Sequence, residues 1–268
     1  MKFGKAHVFA KFSIFKRRAH ALLQDVDVAV LPPQHPAPGE AFKAGSGFSG
    51  ICISMLALEK AGHKCQHVFA IEKDKVLRRI LVNKSPALRR RCISCIRKAV
   101  KHSHKLPPHF LQLSSPCPDF PSQGCGGGVG GSSGGLVLDG IELAVKLRPS
   151  VAVEEQVRGF LFKKHRFARK ITAKILRKPG YRVYNKVLNT MSHGAIPHCR
   201  NRFFRVSIHR SSCRNPFIWP GQLPCLGVKK FLKIHIKGHH KLPPKNPSSQ
   251  NRERNLVKKV STNLKEAG

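Results

Sequence analysis

Met55, Leu56, Leu58 and Ala61 fall on one face of a helix between Ser54 and Gly62, and Gly62 stands where a helix can close in the left-handed conformation. Val68 to Ile71 is a short unbroken apolar run, which predicts a buried strand with Glu72 at its carboxyl end. A second helix centres on Val76 to Leu81; beyond it, basic residues hide any pattern up to His104. Leu136 to Leu147 predicts a helix, Val151 to Val153 a buried strand and Ile171 to Leu176 a further helix. Arg182 to Leu188 and Arg202 to Ile208 predict two strands of a terminal antiparallel ribbon. Strand and helix alternate, so the expected class is α/β with a mostly parallel, doubly wound sheet.

Two proline-rich breaks, Leu31 to Gly39 and Pro216 to Pro224, bound this pattern because each proline removes a donor and restrains its predecessor. Three segments follow: a basic, proline-rich arm over 1–41, a catalytic-sized domain over 42–220, and a basic tail over 221–268 expected to be disordered. The arm is free of acids up to Leu23 but poor in serine, so a disordered arm is expected rather than a transit peptide. Gly124 to Gly135 holds eight glycines in twelve positions and reads as a mobile loop.

Charge changes the picture most. Fifty Lys and Arg against 13 Asp and Glu give a formal net charge of +37 on 268 residues, an excess that repels itself unless a polyanion lies against it. Nucleic acid is the natural partner. No apolar run approaches the ~20 residues of a membrane span. Nine cysteines, an odd number in a chain long enough to build a core, point to a reducing compartment. Cys92-Ile93-Ser94-Cys95 with His102 and His104 lacks the spacing of a zinc finger, and no metal is assigned.

Ser114-Ser115-Pro116-Cys117-Pro118-Asp119-Phe120-Pro121-Ser122-Gln123-Gly124 fixes one thiol between two prolines, at the end of a strand and before the glycine-rich loop. The segment resembles the Pro-Cys motif of the cytosine-5 DNA methyltransferases. Further segments similar to that family stand in its order: Phe48-Ser49-Gly50-Ile51, Phe69-Ala70-Ile71-Glu72, Val153-Glu154-Glu155-Gln156-Val157, Gly180-Tyr181-Arg182-Val183 and His198-Cys199-Arg200-Asn201-Arg202. The resemblance implies an S-adenosylmethionine-dependent methyltransferase (Rossmann-like) fold acting on DNA, with RNA as a substrate inside the same family. It places the chain in the nucleus, or in the cytoplasm of a prokaryote.

Carried over, Cys117 is the nucleophile that attacks C6 of cytosine, Glu155 the carboxylate at N3, and Arg200 and Arg202 the arginines beside the target base. Phe48, Gly50, Glu72 and Pro116 fall to the side of S-adenosylmethionine, Glu72 at the ribose hydroxyls. The chain departs from the family pattern where glycines become Cys52 and Ile53, where an acid becomes Ser46, and where asparagine becomes Gln156. Glu154 is a second charge beside Glu155, and like charges side by side would raise one of the two pKa values. The C-terminal motif and the target-recognition domain of the family are not found. A non-catalytic, basic nucleic-acid-binding protein on the same fold is therefore the alternative.

Overall fold

The computed structural model describes residues 5–26, 36, 40–103, 108–116, 119–120, 127–131 and 133–228. Contacts divide the chain into 1–226 and 227–268, and the fold below belongs to the first unit. In chain order the elements are α1 (Lys5–Asp25), β1 (Phe42–Gly47), α2 (Ile53–Lys60), β2 (Cys65–Ile71), α3 (Lys75–Lys84), β3 (Cys92–Ile93), α4 (Ile96–Lys101) and β4 (Phe110–Leu113). There follow α5 (Leu136–Leu147), β5 (Val151–Val157), α6 (Arg166–Arg177), β6 (Tyr181–Asn189), α7 (Thr190–Gly194) and β7 (Asn201–His209). No helix among the described residues is long and apolar enough to cross a membrane.

One seven-stranded sheet runs β3-β2-β1-β4-β5-β7-β6. The first five strands are parallel, whereas β7 is antiparallel to both β5 and β6. The expected mostly parallel sheet with a terminal ribbon is what forms. Strand order reverses about β1, whose neighbours are β2 and β4, and such a switch point opens a crevice at the carboxyl ends of the strands. Within β1, Gly45 sits at a register shift, and a Cβ there would stand 2.3 Å from the ring of Phe69. The missing side chain lets that ring lie in the core.

Alternation along the strands serves two cores. Phe69, Leu111, Leu138, Ile141 and Ile175 are buried between the sheet and α4, α5 and α6, while Ala44, Met55, Ala70 and Leu81 pack under α2 and α3. α3 begins at a sound cap, with Asp74 Oδ1 accepting from the N–H groups of Val76 and Leu77.

α1 corrects the expectation of a disordered arm. Phe15 and Ala19 are buried in the main core, and Arg18 donates to Asp139 of α5 at 2.6 Å. Asp139 is 1% exposed and also takes Arg97 of α4 at 3.1 Å. At the far end of α1, Lys178 Nζ donates to the carbonyls of Leu23 and Gln24, both at 2.8 Å, where a helix C-terminus attracts a cation.

The glycine-rich stretch is also less loose than expected. Its described part carries a tight turn at Gly128–Gly130, and Gly128, Val129 and Gly130 are buried. His165 lies over that turn, close enough that a Cβ on Gly128 would stand 2.3 Å from the imidazole, and meets Phe120 edge to face at 4.8 Å. The tail over 229–268 lies outside the described residues.

Glu154 and Arg205 tie the parallel half to the ribbon. They face each other across β5 and β7, and Arg205 Nη1 reaches Glu154 Oε2 at 2.9 Å with both side chains almost wholly buried. Arg205 also donates to Thr172 Oγ1 at 2.9 Å, to Asn185 Oδ1 at 3.1 Å and to the carbonyl of Arg169 at 3.1 Å. Burial pushes the Glu154 carboxyl up and the Arg205 guanidinium down, each opposed by the other's charge. Removing one partner strands the other in the core, so Arg205→Leu should cost about 3 to 5 kcal/mol in urea unfolding. Glu154→Leu with Arg205→Met should cost far less. Equal losses in the single and double variants would show that packing, not the unpaired charge, sets the cost.

Burial also pushes the imidazoles of His67 and His165 down to about 4, with Lys164 and Arg169 adding repulsion at His165. Both are neutral in the folded chain, whereas an unfolded histidine titrates near ~6.5. As pH falls from about 6.5 to 4 the unfolded state takes up more protons, so stability drops through that window and the histidine contribution levels off below it. His165→Phe should flatten the dependence of unfolding free energy on pH by up to one proton. An unchanged slope would mean that His165 is charged in the folded protein.

Candidate active site

Loop geometry at the switch point gathers the residues expected on the cofactor side. Ser49, after β1, accepts at Oγ from the N–H of Ile71 at 3.0 Å and donates its own N–H to the Ile71 carbonyl at 2.9 Å. The next peptide then turns its N–H to Glu72 Oε2, and Gly50 donates there at 2.8 Å. Glu72 Oε1 accepts from the N–H of Asp74 at 2.9 Å. The carboxylate thereby closes the β1–α2 turn onto the end of β2, and each oxygen keeps a lone pair for a further donor.

Around this carboxylate lies a cavity of about 240 Å³ bounded by Phe48, Gly50, Ile71, Glu72, Ile96 and Pro116. All four residues expected to bind the cofactor therefore share one cavity, at the carboxyl ends of β1, β2 and β4. Cys95 adds a thiol to its wall. The walls are mostly apolar, with Glu72, Lys73, Ser94 and Ser114 as the polar residues among them, an arrangement that suits a flat heterocycle with a pair of hydroxyls at one end.

Three residues of the β1–α2 turn, Phe48, Gly50 and Cys52, adopt positive φ, at 57°, 55° and 54°. Glycine suits such positions, and Cys52 replaces it at a cost of about 1 kcal/mol. Ile53 has a different position from the one its place in the motif suggests. It is the first residue of α2, exposed, and it lines a second cavity with Leu81 and Lys84 on the far side of the turn. Ser46, where the family has an acid, is fully buried and shares a hydrogen bond with Ser49 Oγ at 2.7 Å.

Cys117 and Pro118 lie outside the described residues, but both flanks are held. Upstream, Ser115 is buried and accepts a hydrogen bond from the amide of Gln156. Downstream, Asp119 accepts from the N–H and hydroxyl of Ser133 at 2.7 and 2.6 Å, and Phe120 is buried edge to face on Phe160 at 5.2 Å.

β5 runs to Val157 rather than ending at Val153, so Glu154, Glu155 and Gln156 are strand residues on alternating faces. Glu154 and Glu155 thus do not crowd one another; Glu154 is spent on Arg205. Glu155 stands on the opposite face and pairs with Arg202 at 2.9 Å. Arg202, on β7, faces Val157 of β5, two positions along that strand from Glu155. Arg200 precedes β7 and is not brought to this pair: its N–H donates to Thr190 Oγ1 at 3.1 Å and its side chain is exposed.

Sequence reasoning missed the Gln156–Ser115 and Asp119–Ser133 contacts. The signal was present in the alternation of β5, which puts Gln156 on the buried face with Glu154. Among the described residues no group of His, Cys, Asp and Glu is placed to hold a metal.

Comparison with known proteins bears on the fold and the family. The S. pombe Dnmt2 methyltransferase superposes with a TM-score of 0.56 at 16% identity, covering 78% of this chain and 62% of its own. DNMT2 of Spodoptera frugiperda gives 0.53 at 18% identity, covering 66% and 52%. These likenesses show the fold. In sequence, the Type II methyltransferase M.NgoBI of Neisseria gonorrhoeae is 30% identical over 174 residues, 65% of this chain and 51% of its own. M.AplI of Arthrospira platensis is 35% identical over 100 residues, 37% and 28% of the two chains. The chain spans about half, or less, of the length of these curated relatives. The sequence model of one family, however, matches from β1 to well past β7, over residues 42–266, and the protein belongs to that family, the C-5 cytosine-specific DNA methylases.

Proposed function

We propose that the chain transfers a methyl group from S-adenosylmethionine to C5 of cytosine in DNA through a covalent adduct of Cys117 at C6. The observation that carries this reading is the cavity at the switch point. It collects Phe48, Gly50, Glu72 and Pro116 at the foot of the Pro-Cys segment, while the neighbouring strand presents Glu155 in an ion pair with Arg202.

The residues present fit the methyl donor, which supplies an electrophilic methyl group when bound. Glu72, anchored by Gly50 and Asp74, would accept from ribose hydroxyls, and Phe48, Ile71 and Ile96 would flank the base. Pro116 places the start of the Cys117 segment in the same cavity wall.

C5 of cytosine is not nucleophilic until something adds across the C5–C6 bond. In this reading the Cys117 thiolate forms a bond to C6, and Glu155, carrying a proton on Oε2, donates it to N3 and so takes up the charge that develops in the ring. C5 then takes the methyl group as the bond from that methyl to the sulfonium sulfur breaks and S-adenosylhomocysteine is left. Loss of the C5 proton restores the double bond and expels the thiolate. Arg202 holds Glu155 Oε1, which leaves Oε2 for the base. A base inside a duplex cannot reach Cys117 until it is swung out of the stack.

Fluorine at C5 cannot leave as a proton does, so a duplex with 5-fluorocytosine should trap the adduct. Incubated with protein and S-adenosylmethionine, it should give a protein–DNA band that survives boiling in detergent. Cys117→Ala should abolish the band and Cys125→Ala should leave it. Glu155→Gln should slow its formation by roughly 10²- to 10⁴-fold, the range for general acid–base groups. No band in any sequence context, with S-adenosylmethionine shown to bind by calorimetry, would favour a non-catalytic nucleic-acid-binding protein. An adduct on RNA alone would move the substrate to RNA.

A further inference from the structure

Between residues 156 and 252 the chain has no aspartate or glutamate. That stretch holds α6 and the whole β6–β7 ribbon, and among the described residues its ion pairs with carboxylates are those to Glu154 and Glu155 on β5. The cations gather on one side. Arg166, Lys170 and Arg177 lie along a single stripe of α6, with Ala173 between the last two.

Under this stripe α6 and the ribbon enclose a groove of about 310 Å³, lined by Arg166, Arg169, Lys170, Arg177, Asn185 and Arg205. Two guanidiniums form its floor and are fixed there. Arg205 is locked by Glu154, Thr172 and Asn185, and Arg169 donates to the carbonyls of Phe160 and Phe162 at 2.6 and 3.0 Å. Arg166, Lys170 and Arg177 form an exposed rim, and none of the three is in an ion pair among the described residues. Arg169 is crowded by burial and by the charges of Arg205 and Arg166. Five cations around one groove, with one buried carboxylate beneath them, repel one another until an anion lies among them.

We propose that this groove, formed by α6 and the β6–β7 ribbon, binds the phosphodiester backbone of a nucleic acid strand. The rim from Arg166 to Arg177 runs for about 16 Å at ~1.5 Å per residue, which is long enough for several successive phosphates. A row of cations along a helix suits a repeating polyanion better than a single small anion. Of the apolar side chains that line the groove, Phe203 is buried and Leu161 part-buried, so the exposed rim is made mainly of cations. It lies on the α6 face of the sheet, whereas Glu155 stands on the opposite face, so phosphates held here belong to a part of the strand other than the reacting base. The inference rests on the reading above only in taking nucleic acid as the ligand.

The test is binding of a fluorescein-labelled duplex of mixed sequence, followed by anisotropy over a range of salt concentrations. Arg166→Gln/Lys170→Gln/Arg177→Gln, which leaves the floor intact, should weaken binding about tenfold or more. It should also flatten the plot of log affinity against log salt by roughly 2 to 3, at about 0.9 per phosphate contact. Arg89→Gln/Arg90→Gln/Lys98→Gln, an equal loss of charge elsewhere, should change the slope by less than one. Should the triple variant not fold, Arg166→Gln and Arg177→Gln singly should each flatten the slope by about one.

Equal flattening in both triple variants would overturn the proposal in favour of a diffuse field. So would full competition by micromolar inorganic pyrophosphate, which would mark a small-anion site, or binding of phosphatidylserine vesicles in place of the duplex. Titration with S-adenosylmethionine, expected to be the same in all variants, reports on the methyltransferase reading separately. Its failure in the unaltered chain would leave the groove result standing.

Discussion

Everything on the reactive side of this fold depends on how β5 treats three polar residues in a row. A strand sends successive side chains to opposite faces, so Glu154 and Gln156 must go into the core and Glu155 must face away from it. A carboxylate in the core is tolerable only with a counter-ion and further donors, and Arg205 from the antiparallel neighbour supplies both. Gln156 likewise needs a partner and finds Ser115, two residues before Cys117. The buried face of β5 thereby fixes the register of β7, and with it Arg202, while holding the root of the Pro-Cys segment. The geometry on the open face follows from the satisfaction of the buried one.

The same scarcity of negative charge shapes the rest of the molecule. With 13 acids to 50 basic residues, several of the described carboxylates serve more than one partner. Asp139 holds Arg18 and Arg97, Glu142 holds Arg18 and Lys146, and Glu72 holds two backbone N–H groups. Cations left over are arranged on surfaces such as the α6 groove, where a ligand rather than the protein can neutralise them. Charge that is a burden on the isolated fold is what recommends it to a polyanion.

Much of this was legible in the sequence. The helices at α2, α3, α5 and α6, the buried strand β2 and the ribbon stand where apolar periodicity put them, because each carries its pattern in its own residues. The short strands β1 and β3 and the helix α4 did not show, since Phe42-Lys43-Ala44-Gly45-Ser46-Gly47 is weak in β-formers and is made a strand by its neighbours on both sides. α1 was hidden for another reason: its basic residues read as solvated, and nothing local says that Phe15 and Ala19 have a core to enter. At the site, motif order brought Phe48, Gly50, Glu72 and Pro116 to one cavity without the sheet being known. The partners Arg205, Ser115 and Ser133 lie far along the chain from the residues they hold, and only topology pairs them.

Asp139 has one more implication. It binds Arg18 of α1 and Arg97 of α4 at once, and Ile96, next to Arg97, is part of the wall of the cavity that holds Glu72. α4 supplies part of the cavity wall through Ile96 and is tied through Arg97 to Asp139, the carboxylate that also anchors Arg18 of the first helix. Helix α1 is thus held to the fold by the same carboxylate that steadies the helix forming part of the cavity wall.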